Sequence, residues 1–186
     1  LVGSEMCIRD RQWGADHGFA VLNLGIDRVE VIKGPSSLIY GADALGGVIY
    51  LADEPYANLN DEEIKASTKF ETNSLASFNK ISYKKSKGNL RFAIYGGYFS
   101  RANYAIGNSE FVTNSKNSGG SFKMAIGYNK NNWITNFRYQ LLYFQNGLPG
   151  HTHDSIWEAS SFLSSTQSRS YTIPAQKIFN PLAQWE

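Results

Sequence analysis

Strict alternation of apolar and polar residues constrains this chain more than any other feature. Ile64, Ala66, Thr68 and Phe70 alternate with Lys65, Ser67, Lys69 and Glu71. Leu90, Phe92 and Ile94 are set against Arg91, Ala93 and Tyr95, and Phe122, Met124, Ile126 and Tyr128 against Lys123, Ala125, Gly127 and Asn129. Trp133, Thr135, Phe137, Tyr139, Leu141 and Tyr143 are set against Asn136, Arg138 and Gln140, and a weaker run covers Leu75 to Lys84. A period of two is the strand period, with successive side chains on opposite faces. The runs cover roughly 10 to 13 residues, where about five or six is usual in soluble sheets and roughly 9 to 11 crosses a bilayer at a tilt.

The connections alternate as well. "SKGN" (Ser86 to Asn89) and "NKNN" (Asn129 to Asn132) are tight turns, whereas Arg101 to Gly120 and the stretch after Gln145 are long and polar. Membrane barrels have this asymmetry, with short turns on the periplasmic side and long loops outside. "ETNS" (Glu71 to Ser74) breaks the parity, being short where a long loop is due. Gly96 and Gly97 are expected to interrupt the third run. Aromatic residues fall towards strand ends (Tyr98, Phe99, Tyr128, Trp133, Tyr143, Phe144), as in the interfacial girdles of such barrels. The chain lacks an 18-residue apolar run, so a membrane-spanning helix is excluded. A mean hydropathy of −0.35 excludes no barrel, because lipid-facing and lumen-facing residues average out. The competing architecture is a soluble antiparallel sandwich, which would close two faces on one dry core.

A net charge of +2 gives no field that calls for nucleic acid. The single cysteine, Cys7, offers neither disulfide nor metal cluster. It lies in "LVGSEMCIRDR" (residues 1–11), an aperiodic stretch that reads as an adapter-derived scar. Both ends read as cuts in a longer chain. Neither G-x-G-x-x-G nor G-x-x-x-x-G-K-[ST] occurs, which argues against nucleotide binding. The absence of a G-x-S-x-G elbow and of a Ser–His pair argues against a hydrolase, so no catalytic residues are expected.

The remaining feature is "RVEVIKGPSSLIYGADALGGVIYL" (Arg28 to Leu51): strand, Gly-Pro break, short Ser-started turn, glycine-rich run and strand again. Gly34 and Pro35 set a tight turn. Ser36 or Ser37 can cap one helical turn, "SLIY", which Gly41 ends. "DEPYANLNDEE" (Asp53 to Glu63) reads as a linker. The stretch Val29 to Ile49 resembles the plug signature of TonB-dependent outer-membrane receptors, departing from it at Ile39. "NGLPGHTHD" (Asn146 to Asp154) looks like an early extracellular loop of the branch that takes up iron complexes.

The resemblance implies a mainly β protein: a partial transmembrane antiparallel β-barrel preceded by the C-terminal part of a mixed α/β plug domain. It places the plug at residues 12–56 and the first barrel strands at 57–186. The structural and gating motif would comprise Glu30, Lys33, Gly34, Pro35, Ser37, Tyr40, Gly41, Gly46 and Gly47. Arg28, Glu30 and Lys33 would pair with wall groups such as Arg91, Lys65, Lys69, Glu71 or Arg138. His151, His153 and Asp154 form a candidate ligand-contacting loop, although H-x-H without a third distant ligand is equally the mark of a polar loop that tolerates histidine. The implied function is uptake of a ferric siderophore, haem or similar metal complex across a Gram-negative outer membrane. The implied partners are outer-membrane lipid and a TonB-type energy-coupling protein, engaged through a segment upstream; no cofactor is implied. A cobalamin or oligosaccharide receptor is the alternative within transport.

Overall fold

The computed structural model describes residues 24–41, 47–107, 109–131, 133–147, 149, 163–170 and 175–185. Residues 1–11 with Cys7, Gly46, His151, His153, Asp154 and the side chain of Ser37 lie outside what is described. Three sheets form among the described residues, with no α-helix.

Strands β1 (Ile26–Ile32) and β2 (Val48–Asp53) pair antiparallel, Ile32 opposite Val48 and Ile26 opposite Asp53. Between them Pro35–Tyr40 forms a 3-10 helix, and Gly41 follows it with φ 129°. Gly47 has φ 123°, and a Cβ there would stand 2.8 Å from the Ile32 carbonyl oxygen, so this re-entry into the sheet requires glycine.

Strands β3 (Glu62–Glu71), β4 (Ala76–Lys87), β5 (Leu90–Arg101), β8 (Asn117–Lys130), β9 (Trp133–Gly147) and β11 (Ala175–Trp185) form one antiparallel six-stranded sheet in chain order. Lys87 pairs with Leu90 across Gly88 and Asn89, and Lys130 pairs with Trp133 across the second tight turn. The excursions at the other end form a small sheet of β6 (Ala105–Gly107), β7 (Glu110–Val112) and β10 (Leu163–Ser164).

Several expectations need correction. Gly96 and Gly97 do not interrupt β5, which runs through both in unbroken register with β4 and β8. The long polar connection is shorter than its composition implied, because β8 already begins at Asn117. Leu75 belongs to a turn, with φ 44°, and not to the strand that follows. From Ala175 to Trp185 the chain forms one regular strand, where its sequence carries no clear alternation.

Register assigns every side chain to a face. One face carries Ile64, Phe70, Ile81, Phe92, Ile94, Tyr98, Phe122, Met124, Ile126, Tyr139 and Leu141. Within it Tyr98, Gly120, Tyr143 and Phe179 stand in one cross-strand row. The opposite face carries Lys65 and Lys69 on β3, Lys80 and Lys84 on β4, Arg91 and Arg101 on β5, Lys123 on β8 and Arg138 on β9. A water-soluble sheet would cover the first face and leave the second wet. Here the apolar face is bare, with Ile64 68 % and Phe70 74 % exposed, while Lys84 and Lys123 are buried. Among the described residues the apolar face therefore lacks the cover that a sandwich would give it, which fits a wall whose greasy side meets lipid, although Phe99, Leu142 and Phe144 make a second buried apolar cluster on the opposite face.

Candidate functional site

The segment from Leu24 to Asp61 meets the polar face through its two feet, Leu24–Gly25 and Asp53–Asp61, while the β1–β2 hairpin between them leaves Val29, Val31 and Ile49 exposed. Leu24 and Tyr56 join Ala93, Tyr95 and Ala125 of the sheet in a small apolar cluster. Small residues on the strands admit this contact. A Cβ on Gly127 would stand 3.1 Å from the Tyr56 ring, and one on Gly97 would stand 3.0 Å from Leu24.

Around the cluster the contacts are ionic and polar. Asp53, the last residue of β2, pairs with Lys123 and, at 2.9 Å, with Arg138. Glu54, the next residue, pairs with Lys84 at 2.7 Å and Lys65 at 3.5 Å. Glu63 on the wall holds Lys84 at 2.9 Å and also meets Lys65. The Lys123 ammonium further donates to the Gly25 carbonyl at 3.2 Å, and the backbone N–H of Glu54 donates to the same oxygen at 2.9 Å. Two consecutive carboxylates thus engage four cations on four strands, and two of those cations, Lys84 and Lys123, are buried. Neutralisation is what makes burying them tolerable, since a buried charge without a partner is costly.

The stretch Glu54–Asp61 is therefore more than a linker. Ser86 Oγ donates to the Ala57 carbonyl at 2.7 Å, and the Ser86 N–H donates to the Asp61 carbonyl at 3.0 Å. Tyr56 Oη lies 3.4 Å from Asn136 Oδ1. These bonds lash the stretch to β4 and β9 as a strap.

The expected charge partners need revision. Wall residues Lys65 and Arg138 do pair with the covering segment, but through Glu54 and Asp53. Arg28 and Glu30 pair with each other along β1 at 2.6 Å, and both are exposed. Glu30 raises the pKa of the Arg28 guanidinium above its ordinary value, by hydrogen bond first and charge second. Lys69 is bound to Glu71, its neighbour on the same face of β3, at 2.9 Å. Gly34 and Gly41 take positive φ, as the turn reading anticipated, and the Tyr40 ring lies 6.4 Å from Tyr50. Asp53 and Glu54 were missed because acids beside a proline read as a turn. The available signal was their place at the end of a strand, facing an otherwise basic sheet.

At the opposite end of the sheet three connections are tied together. Gln167 Nε2 donates to the Asn73 carbonyl at 3.0 Å and the Asn103 carbonyl at 2.7 Å. Arg169 donates to Ser100 Oγ at 2.9 Å and to the Leu75 carbonyl. The short "ETNS" turn is thus covered by the two longer connections, which accounts for its departure from the parity rule.

No group of three or more His, Cys, Asp or Glu among the described residues stands close enough to hold a metal ion. None of the curated proteins or solved structures matches the chain. A family model does: that of the TonB-dependent Receptor Plug Domain, over residues 12–48. The match ends at the first residue of β2, just before the carboxylates that bind the wall. The β1 hairpin, whose front foot Leu24–Gly25 rests on the polar face of this sheet, is thus similar to the plug of the TonB-dependent receptors, and this supports a receptor and transport role for the chain.

Proposed function

We propose that the protein is a TonB-dependent outer-membrane transporter that takes up a ferric siderophore, haem or a similar metal complex. In this reading residues 12–56 belong to the plug and residues 57–186 to the first strands of the barrel. The carrying observation is the inverted sheet: its apolar face is bare, and its basic face is met by Leu24–Gly25, within the plug match, and by Asp53–Asp61 that follow it. An open 22-strand lumen, the size that the resemblance implies, would leak unless stopped.

A stopper held by ion pairs and hydrogen bonds can move relative to its wall, because water replaces each contact as it breaks. A continuous apolar core would offer no such exchange. The turn residues Gly34, Pro35, Gly41, Gly46 and Gly47, with Ser37 and Tyr40, shape the plug loop. Glu30, on β1, and Lys33, just after it, are charges beside that loop, and His151, His153 and Asp154 belong to a loop that would meet the ligand. An energy-coupling protein in the periplasm would act on a segment upstream. No step alters the substrate, so the function is transport and not catalysis.

The test is deletion of the gene followed by growth on defined iron sources, with complementation by the intact gene. Loss of growth on one iron complex, restored by the gene, is the expected result. Unchanged growth on every iron source, with normal uptake of cobalamin or an oligosaccharide lost instead, would transfer the assignment to the alternative cargo.

A further inference from the structure

The distribution of charge between plug and wall points to the chemistry of the cargo. Lys65, Lys84, Lys123 and Arg138 converge on the Asp53–Glu54 pair from four strands. The wall face that these cations share also carries Lys69, Lys80, Arg91 and Arg101, against the acids Glu63 and Glu71. The carboxylates that balance the inner four therefore come largely from the covering segment, not from the wall.

Any displacement of the covering segment withdraws Asp53 and Glu54 and strands Lys84 and Lys123 with less countercharge. Exposing a basic wall in this way favours an anion that takes the vacated places. Space exists for one. A cavity of about 340 Å³ lies beside Glu54, lined by Lys65, Lys80, Ser67, Ser82 and Tyr95 together with the apolar Leu24, Ile26, Ala66 and Ile81; of the four cations only Lys65 borders it. A smaller one lies between Asp53, Lys123 and Arg138.

We infer that Lys65, Lys84, Lys123 and Arg138 form an anion cradle in which Asp53 and Glu54 act as resident substitutes for anionic oxygen groups of the cargo. The cargo is then a polyanionic complex, and the cradle is a station on its way past the plug. The cargo half of this inference rests on the transport reading; the cradle itself does not.

Two experiments on the intact receptor separate these halves. In the first, the melting temperature of detergent-purified protein is measured in phosphate and in chloride at equal ionic strength. Asp53→Ala/Glu54→Ala empties the cradle, and phosphate should then raise the melting temperature by about 2–4 °C over chloride. The wild type should show no such preference, and adding Lys84→Met/Lys123→Met should remove it. If the alanine pair does not fold, Asp53→Asn/Glu54→Gln serves in its place. A response to phosphate no larger than to chloride in the emptied protein overturns the cradle.

The second compares uptake of an anionic ferric tris-catecholate with that of a neutral ferric tris-hydroxamate by cells carrying the receptor. Lys84→Gln/Lys123→Gln should cut uptake of the anionic complex at least about tenfold relative to the neutral one. Equal loss for both overturns the cargo assignment. Should wild-type cells take up neither complex, the polyanionic cargo assignment falls while the growth test still decides the transport reading, and the phosphate experiment decides whether the cradle binds anions.

Discussion

Leu24 occupies the space that Gly97 leaves on β5: a Cβ on Gly97 would stand 3.0 Å from one Leu24 methyl and 3.2 Å from the other. A strand glycine loses packing and gains freedom in the unfolded chain, so it is retained where another element must come close. Gly97→Val should therefore push the covering segment off the wall, at a cost of about 1–3 kcal/mol. Gly97→Ala should cost less, because Leu24 can shift by a few tenths of an ångström. Thermal melting and protease cleavage within residues 24–61 report this; a valine variant that melts and resists cleavage like wild type refutes it.

Glu54 and Lys84 should show strong energetic coupling. Lys84 is buried, and its nearest carboxylate comes from the strap. In a double-mutant cycle of Glu54→Gln and Lys84→Met the coupling energy should be about 1–3 kcal/mol. Glu63 also touches Lys84, so Glu54→Gln alone should be milder than Lys84→Met alone. Chemical denaturation of the four proteins measures the cycle, and additive effects would contradict the geometry.

Neighbouring positions on β4 should respond oppositely to arginine. Ile81 lies on the bare apolar face and Lys80 on the basic one. In a bilayer Ile81→Arg should cost about 2–4 kcal/mol, while Lys80→Arg should cost close to nothing. The fraction of protein assembled in the membrane, read as a heat-modifiable band on a gel, distinguishes them. Equal assembly of both would remove the lipid-facing assignment.

Gln167 should act as a staple. Its amide binds backbone carbonyls of two other connections. Gln167→Ala should destabilise this end locally by about 1–3 kcal/mol and speed hydrogen exchange around Asn73 and Asn103. Gln167→Glu removes the donor while keeping the shape and should match alanine. Unchanged exchange in both would show that the ties carry no load.

The alternation alone was enough to read strands of membrane-crossing length, their sequential pairing and the two unlike faces. It worked where a strand has one environment on each side, as from Ile64 to Phe70 and from Phe122 to Tyr128; it fails at Tyr98–Phe99 and Leu141–Phe144, where Phe99, Leu142 and Phe144 form a buried apolar cluster on the face that carries the cations. Strand ends were harder. Asn117, Ser118, Gly119 and Gly120 look like loop by composition, yet their backbone pairs fully with β5 and β9. Gly97 was read as a break because what it accommodates, Leu24, is distant in sequence. The same reason hid Asp53: its partner Lys123 is 70 residues away, and nothing local in "LADEPY" announces the pairing. Residues that act within one strand were legible, and residues that act between the covering segment and the sheet were not.

The lashing of Glu54 to Asp61 along β4 has a mechanical corollary. Tension applied ahead of β1 reaches this mooring without passing through the hairpin, because Gly25 at its foot already accepts from the Glu54 N–H and from Lys123. The two feet of the segment would therefore take the load together, and Leu24 would have to leave Gly97 as Glu54 leaves Lys84.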